Sequence, residues 1–293
     1  MNLRRSKVRL LHGGASAVGK VRAINQDNYG VSDTLFVLAD GMGGHRGGEI
    51  AAAEAVSAVI STFDYKTRSG LARAVVRANQ AVLERAAGDP DLFGMGTSLC
   101  ALALVRKENL DCLAVANVGD SRVYRYGDGE LTQITEDHSL VAELVRAGDL
   151  NQEEAASHPQ RNILTRALGI ESELLVDTWE VPLQTGDRYI LCSDGLFNEL
   201  DDSQIAEVLS RDETSGITAA TLVRDAVVMG GHDNVTALVI DVEIAPDTLN
   251  SWKLPEVWVE MPHTKSKKTL TVAARMFLKL LVRTCSRFVR SRR

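Results

Sequence analysis

TSLCALALVRKENLDCLAVANVGDSRVYRYGDGELTQI, residues 97–134, is the stretch whose reading decides the fold. Three strand-like runs follow one another in it, over Thr97–Val105, Asp111–Val118 and Ser121–Tyr126. The second and third meet at Gly119-Asp120. Tyr126-Gly127-Asp128-Gly129-Glu130 reads as a hairpin turn into a further strand, Leu131–Ile134. Upstream, the apolar run Leu35–Ala39 reads as a buried strand ending at Asp40-Gly41. Glu49–Phe63 and Leu71–Ala87 read as helices, the first opened by Gly47-Gly48 and the second stopped by Gly88-Asp89-Pro90. Downstream, Asp137–Gly148 is expected to be helical, and the polar segment through Asn162 to form a mobile flap. Leu174–Pro182 and Tyr189–Ser193 read as strands, Ser203–Leu209 and Ile217–Met229 as helices, and Val235–Val242 as the last strand. Helices interrupting mostly antiparallel strands predict an α+β class. The expected architecture is two packed, mostly antiparallel sheets flanked by helices, an α-β-β-α sandwich, and not a doubly wound parallel sheet.

Composition narrows the class. The chain has 293 residues, of which 45% are hydrophobic, ordinary for a globular protein. No repeat, no signal-peptide pattern and no apolar stretch long enough for a transmembrane helix is seen, so a cytoplasmic location is expected. The four cysteines make no CxxC pair. Cys100, Cys112 and Cys192 sit in apolar runs and read as reduced thiols, and Cys285 lies in the basic tail. The net charge of −6 conceals an asymmetry: Ser251–Arg293 carries 11 basic and 2 acidic residues, and the remainder 22 basic and 37 acidic. An acidic body suits a cation-binding centre.

Asp-Gly occurs at Asp40, Asp128 and Asp194. The ordinary meaning of Asp-Gly is a tight turn, and Asp128, between two strands, fits it. Asp40 and Asp194 instead follow almost wholly apolar runs, where a carboxylate faces desolvation unless a cation or donor meets it. Asp233 precedes the last strand. Because the end of one antiparallel strand lies beside the start of its neighbour, all three carboxylates are expected to converge on one sheet edge. Oxygen donors of this kind suit Mg²⁺ or Mn²⁺, and a pair of such ions can turn a shared water into a nucleophile. Gly41 leaves its carbonyl open to close approach. No Ser–His–Asp arrangement with adequate context favours covalent hydrolysis.

Several motifs occur in a characteristic order: GKVRAINQDN (19–28), ADGMGGH (39–45), Gly96-Thr97-Ser98, VGDSR (118–122), QRNILTRALG (160–169), SDGL (193–196) and GHDNVT (231–236). Any one is weak, but their order over Val8–Val242 is specific. The sequence resembles the metal-dependent protein phosphatases, the type 2C serine/threonine phosphatases, in their bacterial form. The resemblance implies that Asp40 bridges two Mn²⁺ or Mg²⁺ ions and that the Gly41 carbonyl binds one of them. Asp194 and Asp233 would hold the other, and Asp120 with Asp194 a weaker third. Arg22 would grip the phosphate as a bidentate fork. Asp27, Gln26 and Asn234 would support these ligands from behind. A hydroxide bridging the metals would attack phosphoserine or phosphothreonine directly, reversing a bacterial Ser/Thr kinase.

Departures from the family pattern are visible. Gln26 stands where Glu is frequent, and its neutral amide supplies no charge to a metal-bound water. Met42 follows Asp-Gly where eukaryotic members have His, so the general acid is unassigned. His45 and a metal-bound water are the candidates, against a structural role for His45 in its Gly-rich loop. The plain alternatives are a surface role for Arg22 and a turn-shaping role for Asp120. His138 and His158 read as surface residues of the flap, and Thr97 and Ser98 as sheet residues rather than nucleophiles.

The resemblance gives a catalytic domain over 8–244 and a linker with a basic tail over 245–293. In the tail, Arg275, Lys279, Arg283, Arg287 and Arg290 would share one helical stripe, with Phe277, Leu280, Leu281, Phe288 and Val289 largely off it. Such a helix suits an anionic membrane surface, an acidic partner or the acidic body itself, against a solvated tail. Nucleic-acid binding is not expected, since aromatics are few, and a monomer is expected. The rival functions are a small-molecule phosphatase and an inactive scaffold. Intact Arg22, Asp40, Asp194 and Asp233 weigh against the scaffold.

Overall fold

Eleven strands and seven α-helices are described in a computed structural model covering residues 8–43, 47–108 and 110–244. His45, Cys285 and the tail over 245–293 lie outside the described residues. One sheet has the order β1 (Val8–Ala17), β11 (Val235–Ile244), β10 (Arg188–Cys192), β7 (Arg122–Gly127), β8 (Glu130–Gln133). The other runs β2 (Asp27–Val31), β3 (Leu35–Met42), β5 (Leu99–Lys107), β6 (Leu110–Val118), β9 (Asp177–Val181), with the two-residue β4 (Gly96–Thr97) beside β3. Every strand pairing is antiparallel.

The period-2 alternation of the central strands has both faces buried, and each face has its own partner. Phe36, Leu38, Cys100, Leu102, Leu113 and Val115 meet Val123, Tyr189, Leu191, Leu238 and Ile240 of the other sheet. The intervening residues, Leu35, Val37, Ala39, Leu99, Ala101, Ala103, Ala114 and Ala116, face α1 (Gly47–Thr62) and α2 (Arg68–Ala87). Those helices answer with Ala51, Ala52, Ala55, Val59, Ala74, Val75 and Ala78, so alanines on both sides let backbone approach backbone. On the far side, Tyr124, Ile190, Cys192, Val235, Ala237 and Val239 pack on α6 (Asp202–Leu209) and α7 (Ser215–Met229). Three apolar layers between four structural layers make the expected α-β-β-α sandwich.

The hairpin at Asp128 forms as expected. Asp128 and Gly129 both have positive φ, 55° and 82°, and join paired Gly127 and Glu130; two such residues make the primed turn that matches strand twist. Other features differ from the sequence reading. β1 and β2 had no assignment. β1 carries Gly13 and Gly14, which weaken its strand signal, yet a Cβ on Gly13 would lie 2.3 Å from the backbone of Gly216 at the start of α7. The expected helix from Asp137 begins only at Leu140, capped by the Ser139 hydroxyl, and ends at Ala147 (α3). The polar segment contains a further short helix, α4 (Gln152–Ser157), with a capping box from Asn151 and Glu154. His138 is not a surface residue. It is 1% exposed, because its ring is consumed by the Gly119 turn. Cys100 and Cys192 are buried and Cys112 half-buried, all as free thiols.

Candidate metal and phosphate site

Strand ends from both sheets meet at one edge of the sandwich. Asp40, near the end of β3, pairs in register with Asp27 at the start of β2. In the other sheet β10 runs into Ser193-Asp194, where α5 (Asp194–Phe197) begins, and the Ser193 amide donates to the Thr236 carbonyl at 3.1 Å. The end of β10 therefore lies beside the start of β11, and Asp194 beside Asp233-Asn234, as antiparallel geometry requires. Gly119-Asp120-Ser121 links β6 of one sheet to β7 of the other. A hydroxyl pair pins the sheets together here, Ser98 Oγ lying 2.6 Å from Ser121 Oγ, while within one sheet Thr97 Oγ1 donates to the Asp40 carbonyl at 2.8 Å. Thr97 and Ser98 thus serve the sheet, as expected.

Asp27 carries the second pin. Its Oδ2 accepts from Ser193 Oγ and Thr236 Oγ1, both at 2.7 Å, while its Oδ1 is buried without a partner. Asn234 holds the loop between β1 and β2. Its Oδ1 accepts from the Gln26 amide at 2.8 Å, and its Nδ2 donates to the Val18 and Ile24 carbonyls at 3.0 and 2.9 Å. That loop carries Arg22, whose Nη2 lies 2.6 Å from Asp233 Oδ2. Gly41 is glycine for a packing reason: a Cβ there would lie 2.0 Å from the Gly48 carbonyl oxygen at the start of α1 and 2.7 Å from the Gln26 carbonyl oxygen. The Gln26 amide packs against Gly48, where a Cβ would fall 2.6 Å from Nε2.

Neither His138 nor Arg122 is recognisable from the sequence as a support of this site. His138 Nδ1 accepts from the Gly119 amide at 3.1 Å, and the His138 amide donates to the Gly119 carbonyl at 2.9 Å. His138 Nε2 lies 3.0 Å from Asp177 Oδ2, and Asp177 Oδ1 accepts from Arg166 at 2.8 Å. Burial, above all, lowers the His138 pKa and keeps the ring neutral. Arg122 grips both oxygens of Asp137 and stacks 3.7 Å from the Phe197 ring centroid. The turn bearing Asp120 is thereby fixed on two sides. His138 lies in a polar run without periodic signal, and the strand run that holds Arg122 does not reveal its partners Asp137 and Phe197.

Electrostatics set this edge apart. Asp40 and Asp194 line the same cleft. Burial, then the neighbouring carboxyls, pushes Asp40 well above the usual carboxylate range. Burial also raises Asp27 to about 6, Asp194 to about 6 with Asp233 adding to it, and Asp120 to about 7 with Asp194 and Asp137 adding to it. Such a set is costly to ionise without a cation, and its donors are all oxygen, the chemistry of Mg²⁺ or Mn²⁺. Among the described residues no three ligating side chains close round a single point. Asp40, Asp120, Asp194 and Asp233 instead line an open cleft of about 770 Å³ together with Arg22, Gln26, Gly41 and Asn234, which suits ions that keep much of their water.

A family model described as "Protein phosphatase 2C" matches residues 17–222. The chain is 38% identical over 239 residues to the serine/threonine phosphatase stp of Listeria monocytogenes, covering 77% of this chain and 93% of that protein. The crystal structure of the Mycobacterium tuberculosis serine/threonine phosphatase PstP/Ppp superposes with a TM-score of 0.73 at 40% identity, covering 80% of this chain and 99% of that one. A structure of the catalytic domain of PstP, in complex with two manganese ions, superposes with a TM-score of 0.71 at 38% identity, covering 80% and 99%.

Proposed function

This chain belongs to the protein phosphatase 2C family, and we propose that its clustered aspartates make it a manganese- or magnesium-dependent phosphatase of phosphoserine and phosphothreonine. The observation that supports this reading is the meeting of Asp40, Asp194 and Asp233 in one cleft, where burial and the neighbouring carboxyls push Asp40 and Asp194 up. Asp40 and the Gly41 carbonyl would hold one ion, Asp40 with Asp194 and Asp233 the other, and Asp120 with Asp194 a weaker third. When bound, such ions lower the pKa of a shared water and draw charge from the phosphoryl oxygens.

The protein's own groups do the rest. Arg22, on a loop tied down by Asn234, moves from Asp233 to the phosphoryl group and orients it through two parallel N–H donors. Asp27, fixed by Ser193 and Thr236, backs Asp40 across the strand pair. Gln26 spans the gap between Asn234 and the Gly41 backbone. The departing serine or threonine oxygen takes its proton from His45 or from solvent. Turnover of esters with poor and good leaving groups by His45→Ala separates the two: a loss confined to poor leaving groups identifies His45.

The catalytic domain in this reading is 8–244, and the opposing activity is a bacterial Ser/Thr kinase acting on the same proteins in the cytoplasm. No helix among the described residues is long and apolar enough to cross a membrane. We assign the basic stripe of Arg275, Lys279, Arg283, Arg287 and Arg290 to an anionic membrane surface, on its sequence spacing. Truncation after Ala245 followed by liposome co-sedimentation tests that, and unchanged lipid binding rejects it. For the activity itself, phosphopeptides and p-nitrophenyl phosphate are compared with and without Mn²⁺. Failure of the metal to stimulate hydrolysis of any ester leaves only the inactive scaffold.

A further inference from the structure

The cleft has more room than a phosphoryl group needs, and its lining is asymmetric. Away from the aspartates Met42, Leu164, Ala167, Ile170, Leu174 and Leu175 line it, interspersed with Asn162, Thr165 and Arg166, the last paired with Asp177. Ile170 is 50% and Leu175 75% exposed, an apolar surface open to water at the mouth of the site. These side chains are presented by design of the backbone. Asn79 of α2, 1% exposed, accepts from the Gly169 amide and donates to the Glu171 carbonyl, each at 2.8 Å. One buried amide thus clasps the chain on both sides of Ile170. Gly169 itself has φ +84°, and a Cβ there would lie 2.5 Å from Val82. Leu174 and Val176 pack against the core beneath α2, which turns Leu175 between them outward. Glu171 and Glu173 stand on the same rim.

A second cleft, of about 830 Å³, shares Asp120, Asn162 and Asp194 with the first. It runs toward α3 and is lined mainly by polar groups, among them Glu136, Asp137, Arg146 and Arg161. The two meet at the aspartates, leaving an apolar arm on one side and a charged arm on the other.

We propose that the phosphorylated segment of a protein substrate lies extended across both arms. The phosphoresidue sits at the aspartates, and an apolar side chain from a neighbouring position on one side packs on the Met42–Ile170–Leu175 shelf. Glu171 and Glu173 favour a basic residue beyond it and disfavour an acidic one. This rests on the phosphatase reading and narrows its substrates: phosphosites flanked on one side by a large aliphatic residue and not by acids.

The test uses the full chain with saturating Mn²⁺ and phosphothreonine peptides that differ at one position, scanned over three residues on each side. Leu, Ala, Lys and Glu are compared at each position, with phosphate release giving kcat/KM. Leu is expected to exceed Glu by roughly tenfold or more on one side only, as burial of one aliphatic side chain allows. In Leu175→Ser and Ile170→Ser, both exposed positions, that ratio falls toward one. A flat profile, an equal preference on both sides, or a Leu preference unchanged in both variants overturns the shelf. If p-nitrophenyl phosphate is hydrolysed with Mn²⁺ while the peptide profile is flat, the shelf alone fails; if no ester is hydrolysed, the phosphatase reading fails with it.

Discussion

Replacing Asp194 by Asn should stabilise the metal-free protein while removing its activity. The Asp194 carboxyl, at about 6 instead of 3.8, carries about 3 kcal/mol of unfavourable free energy when ionised at neutral pH. An amide keeps the shape and can still accept from Asn198 Nδ2, now 3.2 Å from Oδ2. Part of the gain is lost to desolvation of the amide, leaving about 1–3 kcal/mol. For a domain of this size that raises Tm by roughly 3–10 °C in the presence of a chelator. Addition of Mn²⁺ at a hundred times Kd contributes about 2.7 kcal/mol per site to the parent protein, and much less to the variant. The order of the two melting temperatures therefore inverts between chelator and Mn²⁺. Scanning calorimetry of both proteins in both conditions reads this directly. A variant that melts below its parent in chelator, or that gains as much from Mn²⁺, would refute the idea that uncompensated carboxyl repulsion marks the cation site.

Metal-free protein should lose stability as pH rises from about 4 to about 7, since carboxyls raised to about 6 at Asp27 and Asp194 and about 7 at Asp120 hold protons that the unfolded chain has released; denaturant midpoints in chelator measure it, and Mn²⁺ should flatten the slope. Asp40→Ala should abolish turnover with the circular dichroism spectrum unchanged, and retained activity would remove the two-ion assignment. Arg22→Lys should lower kcat/KM by roughly ten- to a hundredfold, because a point charge cannot reproduce a planar fork, with Mn²⁺-dependent stabilisation preserved in a thermal shift assay. Asn79→Ala should cost about 2–4 kcal/mol in urea unfolding, since it orphans the Gly169 amide and the Glu171 carbonyl together.

The layers and the site's edge were legible because they depend on short-range pattern. Apolar runs ending in Asp-Gly placed Asp40 and Asp194 at strand ends, and antiparallel geometry brought Asp233 beside them. The same rule identified Asp128 as a turn, which its positive φ bears out. What escaped depends on contacts distant in sequence. β1 is a strand because it pairs with β11 along its whole length and because α7 crosses at Gly13; its own run is broken by two glycines and by Arg9, His12 and Ser16. His138 sits in a polar run, and only the approach of Asp177 and of the Gly119 turn makes it a buried linchpin. Asn79 looks like one more polar position on an amphipathic helix until its two partners, 90 and 92 residues further on, are seen.

The position of β11 has a consequence for how the protein is made. Last among the described strands in sequence, it lies between β1 and β10 inside its sheet. A chain still emerging from the ribosome, with β11 unmade, has no interior strand to join its first strand to the rest. It exposes two unpaired edges, a liability for association with other chains. It also lacks Asp233 and Asn234 until the same moment. Closure of the sheet and the arrival of Asp233 and Asn234 at the cleft are thus one late event in synthesis, and under the proposed assignment a chain terminated before β11 should show no phosphatase activity.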